Sequence, residues 1–150
     1  MYIWKTTSLA TDIKNGDVGE REWKNYYLGL SIIFALSFYL AVLTPRESVV
    51  TVLVETIAII GILIFGVSIT YQSNKGDDGV DYISRMIALS LPITIKLLLL
   101  SFIFGLLVGI FGEIISVSEI TFEWLMVAFT VIIQIIFFWR VNIHIKDINA

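Results

Sequence analysis

Apolar residues in this chain fall into four long runs separated by short polar stretches. The first, 26–43 (YYLGLSIIFALSFYLAVL), is uncharged over all 18 of its residues. The second, 49–71, contains only Glu55; the third, 86–111, only Lys96; the fourth begins at Phe122 and meets only Glu123 before Arg140. At a helical rise of about 1.5 Å per residue, each run reaches across a hydrocarbon core of about 30 Å with modest tilt or local thinning. None shows the apolar/polar alternation that a membrane β-barrel strand requires. The pattern therefore predicts an all-α membrane protein with four transmembrane helices over 26–43, 49–71, 86–111 and 122–141.

The connections complete the expected architecture. The stretch 44–48 is short and contains Pro45, which turns the first two helices into an antiparallel hairpin, and an up-down four-helix bundle is the simplest closure. Ahead of the bundle, residues 1–25 form an N-terminal segment, and residues 142–150 form a tail. Within 1–14, Tyr2, Ile3, Leu9, Ala10 and Ile13 gather on one helical face and Lys5, Ser8, Thr11 and Asp12 on the other. That amphipathicity predicts an interfacial helix lying on the membrane surface. Asn15-Gly16 reads as its stop, and Asp17 with Glu20 three residues later as a capping box that starts the first spanning helix.

Composition and charge sharpen this picture. The chain is 57% hydrophobic over 150 residues, more than a soluble domain of that size can hide. Segment 1–25 mixes Asp12, Asp17, Glu20 and Glu22 with four basic residues, unlike a cleaved signal, so the N-terminus is expected to be retained. With four crossings, Lys5, Lys14, Arg21, Lys24, Lys75, Arg85, Arg140 and Lys146 share one side, and Arg46 stands alone on the other. Cytoplasmic loops accumulate Lys and Arg, so a multi-pass inner-membrane protein with cytoplasmic N- and C-termini is predicted. The net charge of −3 then belongs to the outer rim, where Glu47, Glu113, Glu119 and Glu123 face Arg46. Without cysteine there is no disulfide, thiolate metal site or Cys nucleophile, and His144 is the only histidine. No cofactor is expected, and no basic tract points to nucleic acid.

Ionisable groups inside a bilayer cost about 2.5–3.5 kcal/mol at the centre, so those in the spans are candidates for function. Glu55 falls roughly 9 Å below the outer edge of its run and Lys96 roughly 15 Å above the inner edge of its own, close enough in depth to form an ion pair. Gln134 falls near the depth of Lys96 and is a candidate for the same polar layer. A structural ion pair, an ion-conducting site, and a Lys96 that snorkels toward the headgroups all remain open. Pro92, one turn before Lys96, removes a helical hydrogen bond and predicts a kink, with Ser90 and Thr94 available to satisfy freed backbone. Gly105 and Gly109 form a GxxxG pair suited to close helix packing, within the bundle or between protomers. In the polar loop 72–85, Asp77, Asp78 and Asp81 lack the order of a calcium loop, and Asp78 and Asp81 are read as capping the third spanning helix.

Residues 76–96, GDDGVDYISRMIALSLPITIK, combine a Gly/Asp turn, an aromatic and an Arg, then Leu-Ser-x-Pro-Ile and a basic residue within one span. Across these 21 residues the chain resembles small, mostly uncharacterised bacterial inner-membrane proteins. The resemblance implies a bacterial source and a small four-helix membrane protein, and by analogy a membrane component of a defence or immunity system. No Ser/His, His/Glu or paired-carboxylate set shares a depth, so no enzymatic activity is expected. The expected function is an interaction or scaffold protein of the inner membrane, a homo-oligomer in the lipid bilayer presenting cytoplasmic segments to a protein partner. The alternative is a small ion channel or ion-coupled transporter that uses Glu55 and Lys96.

Overall fold

The computed structural model describes residues 2–43, 48–115 and 118–150. Its α-helices are α1 (Thr6–Asn15), α2 (Glu20–Leu43), α3 (Val49–Ser73), α4 (Tyr82–Ile115) and α5 (Glu119–Asn149), with a 3-10 turn at Gly76–Asp78 between α3 and α4. No strand occurs among the described residues. Three helices are long and apolar enough to cross a membrane: α3, α4 over Tyr82–Gly112, and α5. This is a helical membrane protein. The turn expected at 44–48 falls largely outside the described residues, together with Pro45, Arg46 and Glu47, and so does the side chain of Glu113.

Local chemistry fixes the helix ends. α1 stops at Gly16, whose φ of 75° is costly for a residue with a Cβ and lets its N–H reach the Asp12 and Ile13 carbonyls. Ser48 and Ser118 open α3 and α5, their hydroxyls accepting from the Thr51 and Thr121 N–H groups. The Asp17/Glu20 capping box is not where α2 begins. The helix starts at Glu20, and the Gly19 carbonyl accepts its first bonds, from Glu22 and Trp23. α4 continues through Pro92, and Ser90 Oγ donates to the Met86 carbonyl at 2.6 Å.

Packing links the long helices in the order α2, α4, α5, α3, with α1 against both α4 and α5. The α3/α5 seam is the most extensive, and α2 has no substantial contact with α3 among the described residues. Gly29 of α2 meets Leu91 of α4, Phe104 of α4 stacks on Phe129 of α5 with centroids 3.8 Å apart, and Gly66 of α3 meets Phe138 of α5.

The buried core sits at one end. Leu9, Ala10 and Ile13 of α1 join Tyr26 of α2, Ala88, Leu89 and Leu91 of α4, and Val141, Ile145 and Ile148 of α5. This corrects the expectation for the N-terminal segment: the apolar face of α1 is covered by α4 and α5, so it is held by protein and not laid on lipid. Beyond the core, apolar side chains such as Phe34 and Phe38 of α2, Ile57 and Phe65 of α3, Phe102 and Ile110 of α4, and Ile132 and Ile135 of α5 point outward and are exposed. That belt is a surface suited to lipid contact.

Candidate functional site

Three polar junctions tie the helices together. The first closes the loop between α3 and α4. Asn74, at the C-terminal cap of α3, is fully buried, and its Oδ1 accepts from Arg85 Nη1 at 2.9 Å. The same Nη1 donates to Asn149 Oδ1 at 2.9 Å, while Asn149 Nδ2 donates to the Ser73 carbonyl at 3.0 Å. Asn74 Nδ2 reaches the Val80 carbonyl, and the hydroxyls of Thr70 and Tyr82 lie 2.8 Å apart. The end of α3, the start of α4 and the end of α5 are thereby locked into one clasp. Backbone geometry at the loop is demanding: Lys75, Gly76 and Asp81 all have positive φ, and a Cβ on Gly79 would collide with the Asn74 backbone.

The loop held by this clasp has an unusual surface. Val80 and Ile83 are 61% and 66% exposed, among the exposed carboxylates of Asp77, Asp78 and Asp81. Asp77 accepts a hydrogen bond from the Tyr71 hydroxyl, which fixes the acidic edge to α3.

The second junction secures α1. Lys96 Nζ donates to Thr6 Oγ1 at 2.7 Å, and Thr6 is buried. The Tyr2 N–H donates to the Tyr26 hydroxyl at 2.7 Å. Hydrogen bonding to the Asp12 carboxylate holds the half-buried Tyr2 phenol above its usual pKa. His144 of α5 is buried in the same region, its Nδ1 3.6 Å from Asp147 Oδ2. The third junction lies at the opposite end of α3 and α5, where Glu123 accepts from Thr51 Oγ1 at 2.8 Å and from the Ser48 N–H at 3.3 Å.

The residues singled out from sequence fare differently. Glu55 is buried on α3, which packs on α5, whereas Lys96 of α4 is bonded to Thr6, so the Glu55/Lys96 pair is replaced by a lysine–threonine contact. Gln134 is half-buried on α5 and bonds to neither among the described residues. Pro92 is buried within α4 beside the core. A Cβ built on Gly105 or Gly109 meets nothing within 4 Å, so neither glycine packs against another helix among the described residues. The close approaches are at Gly29 and Gly66 instead. Thr6 and Asn149, and the bond from Thr51 to Glu123, escaped sequence reading, because each acts through a partner far away along the chain.

A cavity of about 570 Å³ opens between α3 and α5, walled by Gly61, Phe65, Gly66, Phe138, Trp139 and Asn142. Its lining is hydrocarbon apart from Asn142 and offers no acid, base or nucleophile. No protein-family model, curated protein or solved structure matches this chain.

Proposed function

We propose that the chain is a four-span, non-enzymatic membrane protein with both termini on its basic, cytoplasmic side, and that its inner end is a preassembled platform for a protein partner. α2 supplies the additional span through its uncharged stretch 26–43, whose Phe34, Phe38 and Leu40 are exposed. Helix sense supports the up-down order. Thr51 meets Glu123 and Gly66 meets Phe138, as in two helices running the same way, while Arg85 meets Asn149 and Phe104 meets Phe129, as in two running oppositely. The inner membrane boundary falls near Lys96 and Trp139, because α4 is buried by protein over 88–93 and exposes Leu98, Leu99 and Leu100 just beyond Lys96. Residues 76–96 add a bacterial inner-membrane setting, with a defence or immunity role by analogy.

The observation that carries the reading is the pair Val80 and Ile83. Large apolar side chains exposed outside the apolar belt, on a loop and a first helical turn held by buried hydrogen bonds, mark an interaction surface. The flanking aspartates select a partner that brings Lys or Arg around an apolar anchor. A second copy of the chain is assigned to the open face at Gly105 and Gly109. The conducting alternative has less support, since Lys96 is engaged by Thr6 and not by Glu55.

The test is purification of the tagged full chain in mild detergent, with co-purifying proteins quantified for the native chain and for Val80→Glu with Ile83→Glu. A partner present in stoichiometric amount and lost from the variant, at unchanged helix content, supports the platform. An identical set of co-purifying proteins from both chains refutes it.

A further inference from the structure

Lys96 and Arg140 form a pair of cations without a carboxylate. Neither makes an ion pair among the described residues, and the two lie within electrostatic reach of each other. Helix register agrees. Contacts between Arg85 and Asn149 and between Phe104 and Phe129 place Lys96 level with residue 137 of α5, one turn from Arg140. Only one N–H of the Lys96 ammonium is committed, to Thr6, and Arg140 is exposed with no hydrogen-bond partner among the described residues. Asp147 lies beside His144, its Oδ2 3.6 Å from Nδ1, and pairs with neither cation among the described residues.

Thr6 is the first residue of α1, so the Lys96 ammonium rests against a helix N-terminus. That end has no side-chain cap and no acidic residue in its first turn, and Lys5 stands immediately before it. Its N–H groups and dipole add positive potential to the two cations. Exposed aromatics lie along the chain beside two of the site's residues: Trp4 is 62% exposed two residues before Thr6, and Trp139 is 58% exposed next to Arg140. Indole rings at this level are the usual companions of phospholipid headgroups.

We propose that the junction of the α1 N-terminus with Lys96 and Arg140 binds the phosphate of an anionic phospholipid of the basic-side leaflet. The phosphate oxygens accept from Arg140 and from the free Lys96 N–H groups, and the acyl chains run along the exposed apolar belt. Binding there also relieves the repulsion between the two cations and seats the N-terminal segment against the bundle. The inference rests on the membrane boundary drawn at Lys96 and Trp139 and is independent of any protein partner.

Native mass spectrometry of the detergent-purified full chain, titrated with phosphatidylglycerol, tests it. Phosphatidylcholine serves as the neutral lipid and inorganic phosphate as the soluble competitor. Retained phosphatidylglycerol is expected to exceed phosphatidylcholine and to fall about fivefold for Arg140→Gln and again for Lys96→Gln. It should be unchanged by Lys24→Gln, an exposed cation elsewhere. Because Arg140 is exposed and unpartnered, its variant keeps the fold intact. Retention indifferent to Arg140→Gln, or lost equally with Lys24→Gln, overturns the site; complete displacement by equimolar inorganic phosphate makes it a soluble-anion site and overturns the lipid assignment.

Discussion

Alanine at Gly66 tests the α3/α5 seam directly. A Cβ at that position would sit 2.2 Å from Phe138 Cγ and 2.5 Å from both Cδ atoms. Carbon atoms prefer about 3.5–4.0 Å, so the ring must retreat by more than 1 Å. Phe138 is buried, and overfilling a packed seam costs about 1–3 kcal/mol. Alanine returns up to about 1 kcal/mol of helix propensity. Gly61 lies five residues earlier on the same helix with nothing within 4 Å of its Cβ position. Gly61→Ala therefore collects the propensity gain without the clash. The two alanines should differ by about 1–3 kcal/mol, with Gly66→Ala the less stable. Unfolding in mixed micelles by increasing detergent denaturant, followed by helix content and by the fluorescence of the tryptophans, Trp139 among them, measures both. Phe138→Ala supplies the internal control, because in its background Gly66→Ala should lose most of its cost. Equal stability of the two single alanines, or a Gly66→Ala penalty undiminished in the Phe138→Ala background, would refute a seam packed through Gly66.

Asn74→Ala removes the acceptor for Arg85 and frees the Val80 carbonyl, so a loss of at least about 1–3 kcal/mol is expected, with faster proteolysis of the 74–81 loop. Thr6→Val keeps the shape of the side chain and deletes the oxygen that receives Lys96, a charged hydrogen bond worth about 1.5–3 kcal/mol; amide exchange in α1 should accelerate while α3 is unchanged. Thr51→Val deletes the hydroxyl that reaches Glu123 and should cost about 1 kcal/mol, read as a lower denaturant midpoint with an unchanged slope. Leucine at Gly105 and Gly109 should leave the unfolding of the monomer unaffected and reduce cross-linked dimer.

The long helices were legible because uncharged apolar runs of this length have few other uses. The protein cover over the start of the third run was not. Counting inward from Met86 treats every apolar residue as lipid-facing, yet Ala88, Leu89 and Leu91 are buried in a core shared with α1, α2 and α5. Hydropathy does not distinguish a side chain buried by protein from one solvated by acyl chains, so the run alone does not say which of its residues face lipid. The amphipathic face of α1 was correctly assembled from Leu9, Ala10 and Ile13, and what covers it was misjudged for the same reason. The GxxxG spacing at Gly105 marked a smooth surface without naming a neighbour, while the intimate contacts arose at Gly29 and Gly66, where a large side chain opposite decides the matter. Polar clasps such as Arg85 with Asn149, 64 residues apart, leave no local trace.

The order of packing also constrains how the molecule is made. α2 rests on α4 and α3 rests on α5, so each of the first two long helices leaves the ribosome before the helix it will bind. Until residue 119 and beyond are synthesised, α3 has no mate and α1 only half of its seat. Assembly therefore waits for the last helix, which holds all the others except α2. A chain stopped ahead of α5 would leave α3 in the bilayer without its mate, a ready substrate for membrane quality-control proteases.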